Sequence, residues 1–504
     1  MAVFNSILNL INIKRFEQIE EFRRYPHKVQ NRELSELLSL AKNTEYGKKY
    51  KFSEIKTYQT FSSRLPINNY DNIKDDVQRI LNGEQNILWP TDIHWFAKSS
   101  GTTSERSKFI PISKEALELC HFRSGKDIYA FYINQFPETK VFAGKSLALG
   151  GSHQIGNLKE KSFYGDLSAV IIRNLPFWTY FSKVPNSDVA LMEEWEKKIE
   201  LIAQTTINNN VTNMVGVPSW FLVLLRRILE ITGKNNISDV WPNLELFIHG
   251  GVSFSPYREM YKSIISNPNM KYMETYNASE GFFGIQDDFN SDDMLLMLDY
   301  GIYYEFIPMN EVDKEVPKTI PLRDVETGKN YAVVITTNTG LWRYMIGDTI
   351  SFTSINPYKI RVTGRTKHFI NAFGEEVIID NAEQALKIAC EKTGANILEY
   401  TAAPRYFDKE NSNAAHQWLF EFETPPDDLD KFTRILDESL RKINSDYDAK
   451  RYKNMTLGPP EIVVMKKGGY YRWLKSKNKL GGQHKIPRLA NNRDYIDSLL
   501  KFAD

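Results

Sequence analysis

The segment AKSSGTTSERSKFIPIS, residues 97–113, places a run of small and hydroxyl side chains between two apolar stretches. Backbone N–H groups and hydroxyls in such a loop form concavities that bind anions, which is typical of phosphate binding. The loop is not a P-loop, because Arg106 stands where G-x-x-x-x-G-K-[ST] needs its second glycine and Phe109 follows Lys108. Taken alone, the segment therefore leaves two interpretations open: a phosphate-binding loop and a polar surface turn.

The composition around this segment is that of a globular protein, with 42% hydrophobic and 25% charged residues in a chain of 504. This length predicts two or three domains. The net charge of +1 excludes a global field that recruits nucleic acid or anionic membranes. Cys120 and Cys390 lie far apart without metal-ligand spacing, so we interpret them as reduced thiols of a cytoplasmic protein. We recognise no signal peptide and no membrane-spanning run.

Strands and helices alternate through residue 290 in the predicted pattern, which indicates an α/β layered domain. Helices are predicted over 12–45, over 70–82 with Asp71 as N-cap, and over 114–136. Residues 213–234 predict a strand, a turn at Gly216-Val217-Pro218 and a buried helix that ends near Gly233.

The pattern changes after Gly364. The predicted order becomes helix 380–394, strand 397–404, strand 416–423, helix 427–445 and strand 461–466. This is the order of a small α+β unit of the split βαβ type. We therefore predict an N-terminal domain at 1–363 and a C-terminal domain at 364–504.

Three further segments carry polar residues beside predicted strands. In TYNASEGFFG, Tyr276 can stack on a purine and Glu280 can hold Mg²⁺ on the predicted turn. In GLWRYMIGDTI, Asp348 follows a glycine at a predicted strand end, where it can bind a ribose diol, and Arg365 can reach ribose or phosphate. Each has an ordinary alternative: a core tyrosine, a solvated glutamate, a common Gly-Asp turn and a surface arginine in a linker.

In their order, SSGTTSERSKFIP, YNASEGFFG and GLWRYMIGD, followed by Gly-Arg at the predicted boundary, resemble the adenylate-forming superfamily of acyl- and aryl-ligases. Within it they resemble the auxin-responsive promoter family of acyl-acid amido synthetases. The resemblance covers about residues 90 to 490. It implies an α/β fold with a large N-terminal domain, a small mobile C-terminal α+β domain, and ATP-dependent activation of a carboxylate. Glu105 departs from the pattern, because relatives often have glycine there.

The resemblance also implies roles by position. By position, the loop would hold the ATP phosphates, Tyr276 would face adenine, Glu280 would hold Mg²⁺ and Asp348 would bind the ribose. GVPSWF, with Val217 and Trp220, would open a helix at the floor of the acyl pocket, where Trp220 can pack on the acid; ordinary core packing of Trp220 is the alternative. The residues implied to bind ATP are Ser99, Ser100, Gly101, Thr102, Thr103, Lys108, Gly251, Tyr276, Asn277, Ala278, Ser279, Asp348 and Arg365.

The tract KKGGYYRWLKSKNKLGGQHKIPR, residues 466–488, holds eight Lys or Arg and no acidic residue. Basic residues interleaved with aromatics suit single-stranded nucleic acid, which is one interpretation. The other is a catalytic loop, because GGQHKIPR resembles the position of a catalytic lysine in adenylating enzymes and so implies Lys485. We favour the catalytic loop, since the rest of the chain is charge-balanced, and we expect no nucleic-acid or membrane partner.

The sequence and the resemblance together predict an enzyme that uses ATP and Mg²⁺ to convert a small carboxylic acid to acyl-AMP. The acyl group then passes to the amine of an amino acid. Two alternatives stay open: a coenzyme A ligase of the same superfamily, and a non-catalytic nucleotide- or RNA-binding protein.

Overall fold

The computed structural model of the protein has a large N-terminal domain and a smaller C-terminal domain, both of mixed α/β structure. The fold predicted from the sequence is confirmed. The residues that the structure describes are 2–99, 108–150, 156–159, 162–175, 182–190, 192, 194–251, 254, 257–312, 314–366, 369–375, 377–407, 414–454, 456–476 and 487–503.

The helices are α1 Ala2–Arg24, α2 Pro26–Ala41, α3 Glu45–Lys49, α4 Tyr58–Arg64, α5 Tyr70–Leu81, α6 Lys114–Ala116, α7 Phe122–Gln135, α8 Leu167–Asn174, α9 Ser187–Ala190, α10 Trp195–Thr206, α11 Pro218–Thr232, α12 Arg258–Ile264, α13 Ile379–Thr393, α14 Leu429–Ile443, α15 Ser445–Lys450, α16 Gly469–Ser476 and α17 Asp494–Leu500. Short 3₁₀ turns occupy Phe52–Glu54, Ile237–Asp239, Leu322–Asp324 and Tyr452–Asn454. Across the described residues, no helix is both long enough and apolar enough to cross a lipid bilayer.

The strands are β1 Trp95–Ser99, β2 Lys108–Ile112, β3 Lys145–Leu149, β4 Gly156–Lys159, β5 Ser162–Gly165, β6 Lys183–Val184, β7 Val211–Gly216, β8 Leu246–Gly250, β9 Lys271–Ala278, β10 Gly281–Ile285, β11 Met294–Leu296, β12 Ile302–Pro308, β13 Ile320–Pro321, β14 Asn330–Thr337, β15 Tyr344–Ile355, β16 Tyr358–Arg365, β17 Phe369–Ile370, β18 Val377–Ile378, β19 Asn396–Arg405, β20 Ala415–Thr424 and β21 Glu461–Val464.

A 12-stranded sheet forms the centre of the described large domain, in the order β13-β12-β14-β15-β16-β11-β10-β9-β8-β7-β3-β6. The neighbouring strands β9, β8, β7, β3 and β6 run parallel to one another. The other neighbours in this sheet pair antiparallel. Parallel strands are covered on both faces, which explains why β7 and β8 are buried along most of their lengths. The carboxyl ends of β3, β7, β8 and β9 therefore share one edge, where ligands bind in open α/β sheets.

The predicted strand, turn and helix over residues 213–234 are confirmed as β7 and α11. Gly216 has a φ of 155°, which a side chain rarely adopts, and Pro218 occupies the first turn of the helix. Gly233 ends the helix in the left-handed conformation, with a φ of 63°. Glycine and proline thus fix both ends of the helix beside the shared edge.

A smaller sheet in the order β2-β1-β5-β4 carries the opening segment. β1 and β2 form an antiparallel pair in which Ser99 lies opposite Lys108. The proposed phosphate loop is therefore the connection of a hairpin, and residues 100–107 themselves lie outside the described residues.

Two local predictions need correction. The N-cap of α5 is Asn69, not Asp71, because Asn69 has extended backbone and exchanges side-chain hydrogen bonds with Asn72 in a capping box. The predicted helix 114–136 holds α6 and α7, but Leu117–His121 between them forms a π-helical turn. Such turns widen the backbone hydrogen-bonding pattern and are not marked by hydrophobic periodicity.

The small domain follows the predicted order of helices and strands, with a described sheet in the order β19-β20-β21. Side chains of β20 alternate between faces: Trp418 and Phe420 join the hydrophobic cluster of α13 and α14, while Leu419 packs with α16 and α17. The same cluster that contains Trp418 continues into α11 of the large domain. The sequence did not predict β17, β18, α15, α16 or α17.

Candidate active site

Asp348 is the centre of a charged cluster in the large domain. The Tyr276 hydroxyl donates to Asp348 Oδ2 at 2.8 Å, and Arg365 Nε donates to Asp348 Oδ1 at 2.7 Å. Asp348 and Arg365 lie opposite each other on β15 and β16, so the sheet of the large domain continues to Arg365 and the boundary predicted at residue 364 falls inside β16. The Gly347-Asp348 pair was predicted at a strand end, but it lies inside β15, where Gly347 has a φ of 92°. Three segments that are separate in the sequence therefore meet at one carboxylate.

Tyr276 and Glu280 were predicted to share a turn, but Tyr276, Asn277 and Ala278 belong to β9. Only Ser279 and Glu280 connect β9 to β10, because Ala278 already pairs with Gly281. The Tyr276 ring is 7% exposed and packs on Phe283 with a centroid separation of 4.9 Å. Stacking of this ring on adenine stays a prediction.

Glu280 is half-buried close to the Asp348 cluster. Burial raises the pKa of the Glu280 carboxyl, and the Asp348 charge adds to the rise, while Lys108 and Arg365 act in the opposite direction. Two carboxylates and two cations therefore act on one another here. A cation bound at Glu280 would favour its ionised form.

Mg²⁺ is compatible with this arrangement. It is usually held by one or two carboxylates together with waters and substrate phosphates, not by a cage of protein ligands. Accordingly, the described residues form no group of three or more His, Cys, Asp or Glu suited to a metal. Glu280 provides a carboxylate of the required kind, and its assignment as a magnesium ligand stays a prediction.

The end of the proposed phosphate loop is anchored on α5. The Phe109 N–H, directly after Lys108, donates to the Tyr70 hydroxyl at 2.9 Å. Ser99 is the last residue of β1 and pairs with Lys108, so these two residues bound the loop. The following predicted residues lie outside the described residues: Ser100, Gly101, Thr102, Thr103, Glu105 and Lys485.

A glycine turn lies at the carboxyl end of β8. A Cβ atom on Gly250 would lie 2.5 Å from the Thr275 carbonyl oxygen, which only glycine avoids. Gly251 has a φ of 82°, and a Cβ atom there would lie 3.5 Å from Val217 Cγ2. The Gly-Gly turn within HGGVSFSPYR, residues 249–258, was predicted from the sequence to let the backbone approach a ligand, with Gly251 named as the site residue.

Val217 and Trp220 stand at the carboxyl end of β7, the neighbour of β8. Val217 is the N-cap of α11, and Trp220 lies half-buried in the first turn. Lys450 Nζ, from the small domain, lies 4.4 Å from the centroid of the Trp220 ring. No pattern around Lys450 in the sequence indicated this contact.

Cys120, in the π-helical turn, contacts β10, the strand that begins directly after Glu280. Its Sγ accepts a hydrogen bond from the Phe282 N–H at 3.2 Å. Burial raises the pKa of the Cys120 thiol to about 12, so the group stays a thiol and serves packing.

Comparison with solved structures defines the fold class. The chain is similar to the GH3.15 acyl acid amido synthetase, with a TM-score of 0.60 and 18% identity over 96% of this chain and 95% of the other. It is also similar to 2-hydroxyisobutyryl-CoA ligase in complex with 2-HIB-AMP and CoA, with a TM-score of 0.56 and 13% identity over 94% and 91%. These likenesses show the fold.

Sequence comparison identifies the family. The GH3 family N-terminal domain matches residues 15–270, the central domain 295–365 and the C-terminal domain 380–494. The chain therefore belongs to the GH3 family, and the resemblance found in its motifs is confirmed.

Two curated relatives come from Arabidopsis thaliana. The indole-3-acetic acid-amido synthetase GH3.3 is 23% identical over 95% of this chain and 92% of its own length. The 4-substituted benzoates-glutamate ligase GH3.12 is 22% identical over 94% of each chain.

Proposed function

We propose that this protein is an ATP-dependent acyl-acid amido synthetase. The observation that carries the proposal is the match of the three GH3 family domains in order along the chain. The names of the relatives support it, because both describe the joining of an acid to an amine-bearing partner. The cluster of Glu280, Lys108, Asp348 and Arg365 supports it independently, since it offers both charges that a metal-bound nucleotide needs.

The reaction has two steps. In the first, a carboxylate oxygen of the acid attacks the α-phosphorus of ATP, the bond to the β-phosphate breaks, and pyrophosphate leaves. In the second, the amine nitrogen of an amino acid attacks the acyl carbon of acyl-AMP. The carbon–oxygen bond to AMP breaks, AMP leaves, and the nitrogen releases a proton. Neither step requires a nucleophilic side chain.

Positioning and neutralisation of charge supply the catalysis in the first step. Mg²⁺ held by Glu280 would offset the charge of the phosphates when bound. The loop that begins at Ser99 would donate N–H groups and hydroxyls to phosphate oxygens, and Asp348 would accept from the ribose hydroxyls. We assign Lys485 to the transition state, where a fixed cation stabilises developing charge.

The acid would bind between Val217 and Trp220, next to the glycine turn that approaches the nucleotide. Adjacent strands lie about 4.8 Å apart, so the neighbouring ends of β7, β8 and β9 would hold the acid and the nucleotide side by side at one edge of the sheet. We also propose a cytoplasmic location, which the two free cysteines support.

The test is an ATP–pyrophosphate exchange screen over aryl and aliphatic carboxylic acids. We expect exchange with at least one acid, followed by release of AMP when an amino acid is added. Exchange with no acid would contradict the proposal. Release of AMP that requires coenzyme A and yields a thioester would instead assign the protein to the coenzyme A ligases.

A further inference from the structure

Lys450 is a buried cation at the junction of the two domains. It ends α15, is 2% exposed, and lies with Nζ 4.4 Å from the Trp220 ring centroid. A desolvated ammonium over an indole face is among the stronger cation–π arrangements. The small domain thus places a positively charged ammonium next to the Trp220 ring, at the carboxyl edge of the large domain's sheet.

Burial disfavours the charged form of Lys450, and two nearby carboxylates favour it. Burial lowers the pKa of Lys450 to about 8, whereas Asp446 and Glu375 favour its charged form. Glu375 is itself fixed, because it accepts from the Phe373 N–H at 2.7 Å and lies 2.8 Å from His416 Nε2. Lysine is almost never fully buried unless it is paired, and a neutral side chain of similar size would avoid the burial cost.

Other contacts between the domains lie along the same surface. The Tyr257 hydroxyl donates to the Ala372 carbonyl at 2.9 Å, and the Arg226 guanidinium lies 5.8 Å from the Phe407 ring centroid. Arg226 belongs to α11, the helix that carries Trp220. Among these contacts, the one between Lys450 and Trp220 lies at the proposed acid pocket.

We propose that Lys450 is a positioning residue for the acid, acting through Trp220. When the small domain is docked on α11, its ammonium holds the indole in one orientation and so shapes the pocket. The pocket role rests on the proposed function. Because binding linkage is reciprocal, an acid that fits the held indole also favours the docked small domain.

The first test compares Lys450→Met with Lys453→Met. Lys453 is the control for loss of a nearby lysine: it is exposed, its Nζ lies 5.4 Å from the Tyr452 ring centroid, and across the junction its charge acts on Glu200 of α10. We expect Lys450→Met to raise the KM for the acid about tenfold, with the KM for ATP changed less than about twofold. Lys453→Met should match the wild type. An unchanged acid KM in Lys450→Met, or an equal rise in both KM values, would overturn the proposal.

The second test asks whether Lys450 acts through the indole. In a Trp220→Leu background, Lys450→Met should change the acid KM by less than about twofold, because residues in one contact are not additive. A full tenfold effect in that background would overturn the proposal. A structural role alone predicts loss of stability, whereas we expect Lys450→Met to melt no lower than the wild type at pH 7, since it removes a buried charge.

A third measurement does not depend on the enzymatic activity. Hydrogen–deuterium exchange of the substrate-free protein should show faster exchange over residues 216–226 in Lys450→Met than in Lys453→Met, with residues 271–285 unchanged. Equal hydrogen exchange over residues 216–226 in the two variants would show that the contact of Lys450 with Trp220 does not hold this segment, and would overturn the proposal. If no acid supports pyrophosphate exchange, the proposed function fails, while this measurement still decides whether Lys450 holds Trp220 and the start of α11.

Discussion

The proposed nucleotide side, around Asp348, and the proposed acid side, around Trp220, are built differently. On the nucleotide side, Asp348 is held by Tyr276 and Arg365 through direct hydrogen bonds within a single sheet. On the acid side, Trp220 contacts Lys450 across the domain junction. Bonds within one sheet persist in any arrangement of the domains, whereas a contact between domains depends on docking. We infer that nucleotide affinity belongs to the large domain and that acid affinity depends on both.

The largest effect is expected for Glu280→Gln. The substitution keeps the shape of the side chain but removes the charge that we assign to Mg²⁺, so adenylation should fall by about a hundredfold or more. Unfolding free energy should change by no more than about 0.5 kcal/mol, as for most substitutions in turns. Pyrophosphate exchange and a chemical denaturation curve check both values.

A control for Glu280→Gln is Glu326→Gln, which removes another turn carboxylate of the large domain, paired with Lys329 at 2.7 Å. We expect its exchange rate to equal that of the wild type. Normal exchange in a folded Glu280→Gln protein would refute the metal assignment and leave Asp348 as the centre of the nucleotide side.

Lys485→Ala should lower adenylation by about a hundredfold, the scale of losing one preorganised electrostatic contact. Reaction of a supplied acyl-adenylate with an amine should fall much less, because we expect the small domain to have moved Lys485 away by then. Rates of both half-reactions are measured separately.

Lys475→Ala and Lys477→Ala are the controls for Lys485→Ala, since all three lysines belong to the same basic tract. A catalytic loop predicts one large effect and two small ones. Similar graded losses, together with binding of single-stranded nucleic acid that weakens steeply with salt, would favour the nucleic-acid interpretation.

Asp348→Asn tests the nucleotide side more finely. The amide accepts weaker hydrogen bonds than the carboxylate and leaves Arg365 without its counter-charge, so the KM for ATP should rise about tenfold. The KM for the acid should stay within about twofold of the wild type. A matched control is Asp293→Asn, because Asp293 also accepts from strands β15 and β16, through Thr353 at 2.8 Å and Lys359 at 3.3 Å. An equal rise in both KM values would erase the distinction between the two sides.

The sequence named residues that the structure brings together around Asp348, while their roles toward a nucleotide stay predictions. Tyr276, Glu280, Asp348 and Arg365 each follow or adjoin glycine or a polar turn, and their order along the chain resembles a known family. The strand–turn–helix unit at α11 was predictable because glycine and proline mark its ends. These signals are local, so a single sequence carries them.

The acid side was less predictable. Trp220 was named as a pocket residue, but nothing in SDYDAK distinguishes Lys450 from a solvent-exposed lysine at the end of a short helix. Its burial arises from packing between domains, which leaves no periodic pattern. The π-helical turn at Leu117–His121 escaped for a related reason, since its apolar residues continue the helical spacing of α6 and α7.

The effect of pH separates the contribution of Lys450 to stability from its role in positioning the acid. Because burial lowers the folded-state pKa of Lys450 to about 8 from the ordinary 10.5, the unfolded chain binds more protons between these values. Raising the pH through this window should therefore stabilise the wild type relative to Lys450→Met, by at most about 1.4 kcal/mol per pH unit.

Over the same window the ammonium that contacts Trp220 is lost, so the wild-type KM for the acid should rise toward that of Lys450→Met. Asp446 and Glu375 favour the charged form of Lys450, and the lowered value already includes their effect. Denaturation curves and acid KM values measured for both proteins from pH 7 to 10 would show stability and affinity moving in opposite directions. If both declined together, the ammonium would be a structural group, and the acid side would be as independent of the small domain as the nucleotide side.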